Sequence, residues 1–157
     1  MSIRPLQRED KEPIERLLRA TDVFSEEEIG VAIELIEIYL DDPQQKDYEL
    51  FSSVDETQAV TGYVCIGPTP STEGTYDLYW IAVVPSEHGK GVGSILLRFV
   101  EDHLRAMGGR LLIAETSSTP KYEKTRAFYE RKGFVQHARI KEYYKPGDDL
   151  IIYGKNL

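Results

Sequence analysis

The sequence predicts an α/β fold, a mixed β-sheet flanked by helices, in the order β-α-α-β-β-β-α-β-α-β-β. Three observations carry that expectation. Apolar residues recur at helical spacing in some stretches and in short strand-like runs in others, and the two kinds alternate along the chain. The runs YDLYWIAVVP and RLLIAETSS are separated by an amphipathic helix, a crossover that makes them parallel. DYELFSSV and AVTGYVCIG are instead joined across the turn-like DETQ, which makes them antiparallel. No repeat, low-complexity stretch or linker divides the chain, so residues 1–157 read as one domain.

Residues 2–6 form a short first strand. Asp10 caps a helix through Ala20, with Ile14, Leu17 and Leu18 at i, i+3 and i+4. Pro13 falls in its first turn, where a missing N–H is harmless. Ser25 and Glu28 have capping-box spacing and open a second helix. Its stripe of Ile29, Ile33, Ile36 and Leu40 is widened by Val31, Leu35 and Ile38. A face that broad suits packing on a sheet, and equally a helix bordering a substrate site or a dimer contact. After the antiparallel pair and the loop PTPSTEG, the strand YDLYWIAVV stops at Pro85. The next helix aligns Val92, Leu96, Phe99, Val100 and Leu104 and ends at Gly108-Gly109. A helix over 120–132 follows RLLIAETSS, and the strands FVQHARI and DLIIYGK flank the loop EYYKPGD.

Composition narrows the function. Against 19 Lys and Arg stand 27 Asp and Glu, a net charge of −8 that repels polyanions, so no nucleic-acid partner is expected. The same surface would favour a cationic substrate, or serve solubility alone. No apolar run approaches the roughly 20 residues that cross a bilayer. The charged N-terminus lacks a signal-peptide core, so a cytoplasmic protein with no membrane partner is expected. Cys65, the one cysteine, lies in the apolar run GYVCIG and reads as a buried structural thiol. His88, His103 and His137 show no metal-ligand spacing, and no metal is expected.

The stretch VVPSEHGKGVGSILL sets Gly89, Gly91 and Gly93 between a strand and a helix. A nucleoside-triphosphatase loop needs GxxxxGK[ST], but no glycine stands five before Gly89, and Gly91 follows Lys90. The dinucleotide fingerprint GxGxxG fails in both registers, at Ser94 and at Leu96. A strand-to-helix turn here would point unpaired N–H groups at a ligand, and the helix dipole would favour an anion such as pyrophosphate. Gly91 and Gly93 would let phosphate oxygens approach the backbone, with Lys90 adding a cation. The alternative is a glycine-rich turn with no ligand.

HGKGVG after IAVVP, with RAFYERKGF downstream, resembles the GNAT superfamily of N-acetyltransferases. The family's phosphate loop reads Gln/Arg-x-x-Gly-x-Gly/Ala after a strand, and its second signature is an aromatic-Tyr pair on a helix before Gly-Phe. His88 stands where Gln or Arg is usual, and Tyr122 where an asparagine is frequent. The resemblance implies a GNAT-like domain using acetyl-CoA to acetylate a primary amine by direct attack on the thioester. It implies coenzyme contacts from Ile81, Val83, His88, Gly89, Lys90, Gly91, Val92, Gly93, Ser94 and Tyr122. A backbone N–H at Val83 or a neighbour would hold the oxyanion, and Tyr129 would protonate the departing thiolate. The alternative for Tyr129 is a core aromatic; because adjacent helix residues point about 100° apart, Phe128 and Tyr129 are expected to face different pockets.

Asp77 and Glu115 are candidates for the base, each with the alternative of a solvated strand residue. Period-two alternation puts Asp77, Tyr79 and Ile81 on one face. Lys121, Lys124 and Arg126 are candidates for the 3′-phosphate of the coenzyme, and Trp80 and Tyr76 for walls of the acceptor site. The acceptor reads as a small amine or amino-acid-like molecule. Rival functions are a protein lysine or N-terminal acetyltransferase and a non-catalytic acyl-CoA sensor. A homodimer is the default oligomer.

Overall fold

The computed structural model describes residues 1–157. Seven strands form one sheet: β1 (Ser2–Pro5), β2 (Glu49–Val54), β3 (Val60–Pro68), β4 (Thr75–Val83), β5 (Leu111–Ser117), β6 (Val135–Lys145) and β7 (Asp148–Asn156). Four helices flank it: α1 (Lys11–Ala20), α2 (Glu26–Asp41), α3 (Val92–Ala106) and α4 (Glu123–Arg131). The element order is the one expected from the sequence. Spatially the strands run β1-β2-β3-β4-β5-β7-β6, with β7 inserted between β5 and β6. Only β4 and β5 pair in parallel, as the α3 crossover requires. No helix is long and apolar enough to cross a membrane.

The core is two apolar clusters, one on each face of the sheet. α1 and α2 contribute Ile14, Leu18, Ile29 and Ile36 to the cluster that holds Tyr63, Cys65 and Ala82. α3 and α4 contribute Leu96, Val100 and Tyr129 to the other, with Leu78, Leu112 and Ile151 from the sheet. The Ser25–Glu28 capping box forms as expected, Ser25 Oγ accepting from the Glu28 N–H at 3.1 Å and Glu28 Oε1 accepting from the Ser25 N–H at 3.0 Å. Asp10 departs from expectation. Its own backbone is helical, in a 3-10 turn over Arg8–Asp10, and its side chain makes no cap bond to α1. The carboxylate, 3% exposed, instead accepts from Arg4 at 2.6 and 3.0 Å, the Gln7 N–H at 2.9 Å and the Ser52 hydroxyl at 2.9 Å.

Two irregularities shape the centre of the sheet. Cys65 lies opposite Trp80, but Ile66 lies opposite Leu78, so Tyr79 is an extra residue, a β-bulge. The bulge exchanges the faces of β4. Tyr76 and Leu78 face the α3 side before it and Ile81 and Val83 after it, while Trp80 and Ala82 face α1 and α2. Period-two alternation therefore fails across Tyr79. Ile81 lies on the face opposite Asp77, and Tyr76 and Trp80, expected to wall one site, lie on opposite faces.

The second irregularity is a gap. β4 and β5 pair only from Thr75–Leu111 to Asp77–Ile113, then diverge while β5 stays paired to β7 as far as Ser117–Leu150. A cleft opens between them. The Val84 N–H bonds to Thr61 on β3 at 2.8 Å, so by antiparallel alternation the backbone groups of Val83 and Ile81 point away from β3, into the cleft. At the far edge, β6 reaches Lys145 rather than ending before EYYKPGD, but its ladder is broken between Ile140–Leu150 and Lys145–Asp148. Within the break Glu142 has φ 50° and donates its N–H to Asp149 at 2.8 Å, and Tyr143 and Tyr144 stand out 57% and 48% exposed.

Candidate active site

The glycine loop lies at the end of β4 beside the cleft. Gly89 and Gly91 have φ of 79° and 86°, where a side chain is strained, and Gly91 is the residue from which α3 starts. His88 and Lys90 donate their N–H groups to Pro85 and Glu87. The first bond of α3 runs from the Ile95 N–H to the Gly91 carbonyl. The N–H groups of Gly89, Gly91, Val92, Gly93 and Ser94 therefore have no backbone acceptor. A side chain at Gly89 or Gly91 would meet nothing within 4 Å, so the space before them is open. Unpaired donors, a helix N-terminus and open space fit a pyrophosphate. At Gly93 a methyl group would stand 3.4 Å from the Phe128 ring, an ordinary contact, so packing alone does not require glycine there.

His88 does something other than add charge. Its Nε2 lies 2.8 Å from the Val83 carbonyl, and because a carbonyl only accepts, Nε2 carries the proton. The ring fastens the loop to the end of β4. The Lys90 ammonium is exposed, 3.9 Å from Glu87. Arg126, expected at a coenzyme phosphate, donates to the Ser117 and Thr119 carbonyls at 2.8 Å each and ties α4 to the end of β5. Lys121 and Lys124 remain exposed.

Tyr129 lies on α4, in the apolar cluster on the α3 face of the sheet. It is 5% exposed, within 5.9 Å of Phe128, 5.1 Å of Phe134 and 5.8 Å of Tyr153 between ring centroids. Phe128 packs against that same cluster, so the two rings share one pocket, contrary to expectation. The Gly-Phe of RKGF closes α4: Gly133 has φ 91°, and the Phe134 N–H bonds back to the Tyr129 carbonyl at 3.0 Å. Burial pushes the Tyr129 phenol well above its ordinary pKa, which keeps it protonated. The sealed, unpartnered side-chain oxygens are those of Tyr63 and Thr116; the Tyr129 hydroxyl is not among them.

Asp77 and Glu115 come together on the opposite face. Asp77 is in register with Ile113, two residues before Glu115 and on its side of the sheet. Burial and then the charge of Asp77 raise the Glu115 carboxyl above the usual range. Asp77 accepts from the Thr69 hydroxyl at 2.8 Å and the Tyr79 hydroxyl at 3.4 Å, whereas Glu115 has no side-chain hydrogen bond.

Tyr122 joins this face. Its hydroxyl donates to Glu28 Oε2 at 2.7 Å, and its ring lies 6.4 Å from Phe24, which stands edge-on to Trp80 at 5.0 Å. Tyr144 closes the far side, its phenol pushed up to about 12 by burial and then by the charge of Glu115. Phe24, Glu28 and Tyr144 escaped the sequence reading. Ser25-x-x-Glu28 announced only a cap, and no local pattern joins residues 24, 80, 122 and 144.

Comparison with known proteins gives the family and the fold. The acetyltransferase (GNAT) family model matches residues 12–134. A crystal structure of a protein assigned to that family, from Desulfovibrio desulfuricans, superposes with a TM-score of 0.92 at 43% identity, over 99% of this chain and 98% of the other. An amino-acid acetyltransferase of Ralstonia nicotianae is 28% identical over 110 residues, 70% of this chain and 22% of its own length. N-alpha-acetyltransferase 30 of Schizosaccharomyces pombe is 30% identical over 73 residues, 46% of this chain and 47% of its own. The chain thus spans 22% and 47% of these two curated relatives. With most of its length matched by one family model and its whole fold by a member, the chain belongs to the GNAT family of acetyltransferases.

Proposed function

We propose that the protein transfers the acetyl group of acetyl-CoA to a primary amine by direct attack on the thioester. The observation that carries this reading is the cleft between β4 and β5, which opens beside five N–H groups without backbone acceptors. The pyrophosphate lies against Gly89, Gly91, Val92, Gly93 and Ser94, and the pantetheine arm enters the cleft along Ile81 and Val83. The amine nitrogen bonds to the thioester carbon, and the carbonyl oxygen becomes an oxyanion held by the N–H of Val83 or Ile81. The C–S bond then breaks, the Tyr129 hydroxyl protonates the sulfur, and Glu115 takes the proton released by the nitrogen, directly or through water. Products are the N-acetyl amine and CoA thiol, and the Glu115 proton restores Tyr129 by way of solvent.

Glu115 suits the base better than Asp77, since its carboxylate has no side-chain hydrogen bond and burial and the Asp77 charge raise it above the usual carboxylate range. Asp77, held by Thr69 and Tyr79, supplies charge. Glu28, Asp77 and Glu115 enter no ion pair, and Phe24, Trp80 and Tyr122 lie beside them. That combination favours an acceptor bringing positive charge, a small cationic amine.

Calorimetric titration with acetyl-CoA, with dephospho-CoA and a nicotinamide dinucleotide as controls, tests the donor. Micromolar binding of acetyl-CoA and no binding of the dinucleotide are expected, followed by thiol release when amines are supplied. Failure to bind acetyl-CoA overturns the reading. Binding without release from any amine or peptide N-terminus would make the protein a sensor.

A further inference from the structure

A cavity of about 640 Å³ lies on the β3 side of β4, away from the cleft. Its walls come from Arg4 on β1, the 3-10 turn and α1, Gln58 and Ala59 before β3 with Val60 at its start, and Val84–Pro85. Neither Asp77, Glu115, Tyr129 nor any residue of the glycine loop lines it. The volume lies in the range of small-molecule sites, about 300–1,000 Å³.

The floor is apolar, with Leu17, Ala20, Val60 and Val84. Above it stand two charges of opposite sign, Glu9 and Arg16, both exposed and neither in an ion pair. They are seven residues apart on continuous helical backbone, two turns and about 10 Å along the axis, and so share one side. That separation is too wide for easy direct pairing and suits closure on a ligand between them. Arg4 and Asp10 also line the cavity but neutralise each other at 2.6 and 3.0 Å, which fixes the Arg4 guanidinium with two of its five donors free. Gln58 holds φ 71°, a conformation that glycine or asparagine adopts more readily, and it lines the opening.

We infer that this cavity binds a free α-amino acid with an apolar side chain, its carboxylate at Arg16, its ammonium at Glu9 and its side chain on Leu17, Val60 and Val84. The site is separate from the acetyl-transfer cleft and holds whether or not the transfer reading does.

L-Leucine, 4-methylpentanoate and 3-methylbutylamine test it, because the second lacks the ammonium and the third the carboxylate. Calorimetry without acetyl-CoA should show leucine binding and at least a tenfold loss for each truncated analogue. R16Q should abolish leucine binding without lowering the melting temperature, Arg16 being exposed, and E115Q should leave it unchanged. Leucine binding lost in E115Q but kept in R16Q would mean that leucine occupies the acceptor site, and would overturn the inference. So would equal binding of the three compounds, or none. Acetyl-CoA titrated into the same samples reports the cleft independently.

Discussion

The Tyr122 hydroxyl donates to Glu28 across 2.7 Å, joining the turn before α4 to the first turn of α2, 94 residues away in sequence. Glu28 also caps its own helix through the Ser25 N–H. One carboxylate therefore sets both the start of α2 and the position of the Tyr122 ring beside Phe24. Y122F should release Glu28 toward solvent and raise KM for the amine severalfold, with kcat and the acetyl-CoA Kd little changed. Steady-state kinetics with each substrate varied in turn separates those effects.

Y129F tests the proton donor. Loss of a positioned acid lowers turnover by about 10²–10⁴-fold, and the deletion of one oxygen leaves the apolar contacts with Phe134 and Tyr153 in place. Acetyl-CoA affinity should stay within twofold. A mutant with full turnover would return Tyr129 to the core as an aromatic and nothing more.

Glu115 predicts a pH limb. Its carboxyl is raised by burial and by Asp77, so activity should fall as pH drops through a pKa above the ordinary glutamate value. E115Q should remove that limb, and D77N should move it to lower pH by removing the repelling charge. The stability effect has the opposite sense. A folded-state pKa above the unfolded one means the group favours folding at low pH, and that contribution is lost as pH rises through the raised value. E115Q should therefore melt slightly higher than wild type at neutral pH.

Asp10 works the other way. Burial alone would raise its carboxyl, but the hydrogen bonds from Arg4, Gln7 and Ser52 together with the Arg4 charge hold it below the usual range. Its stabilisation is complete above the unfolded pKa and is lost as pH falls through the lower folded one. D10N leaves the half-buried Arg4 without its counter-charge, and hydrogen bonds to a charged group are worth about 1.5–3 kcal/mol. Urea melts at pH 7 should show that loss, and melts at successively lower pH should show the two proteins converging.

Gly91 is the sharpest test of the loop. Alanine at φ 86° pays about 1–2 kcal/mol for the left-handed conformation, although its methyl group meets no neighbour. G91A should weaken acetyl-CoA binding at least tenfold while α3 keeps its packing. Circular dichroism beside calorimetry distinguishes loss of the loop from loss of the fold.

Local physics explains how far the sequence could be read. The strand and helix order, the Ser25–Glu28 cap and the glycine turn each depend on residues within a few positions of one another, and each was found where expected. Asp10 looked like a cap because its partners Arg4 and Ser52 lie on strands whose pairing no local pattern reveals. The carbonyls that Arg126 holds belong to another element, so no local pattern announces that contact. The bulge at Tyr79 left no mark in the alternation of YDLYWIAVV. The site's aromatic wall is assembled from four separate segments, and only the sheet order joins them.

The bulge also makes β4 a strand in two phases. Residues 75–78 and 80–83 obey the same alternation with opposite sign, and Tyr79 is the half-step between them. Deleting that one residue would give a regular ladder with every side chain after it on its present face. Keeping it but pairing it regularly would instead turn over everything after it, driving Trp80 and Ala82 into the α3 layer and Ile81 and Val83 out toward α1 and α2. The segment that should present backbone groups to the thioester is thus tied in frame to the segment that carries Asp77. A regular strand of the same length could not replace β4, because it lacks that half-step.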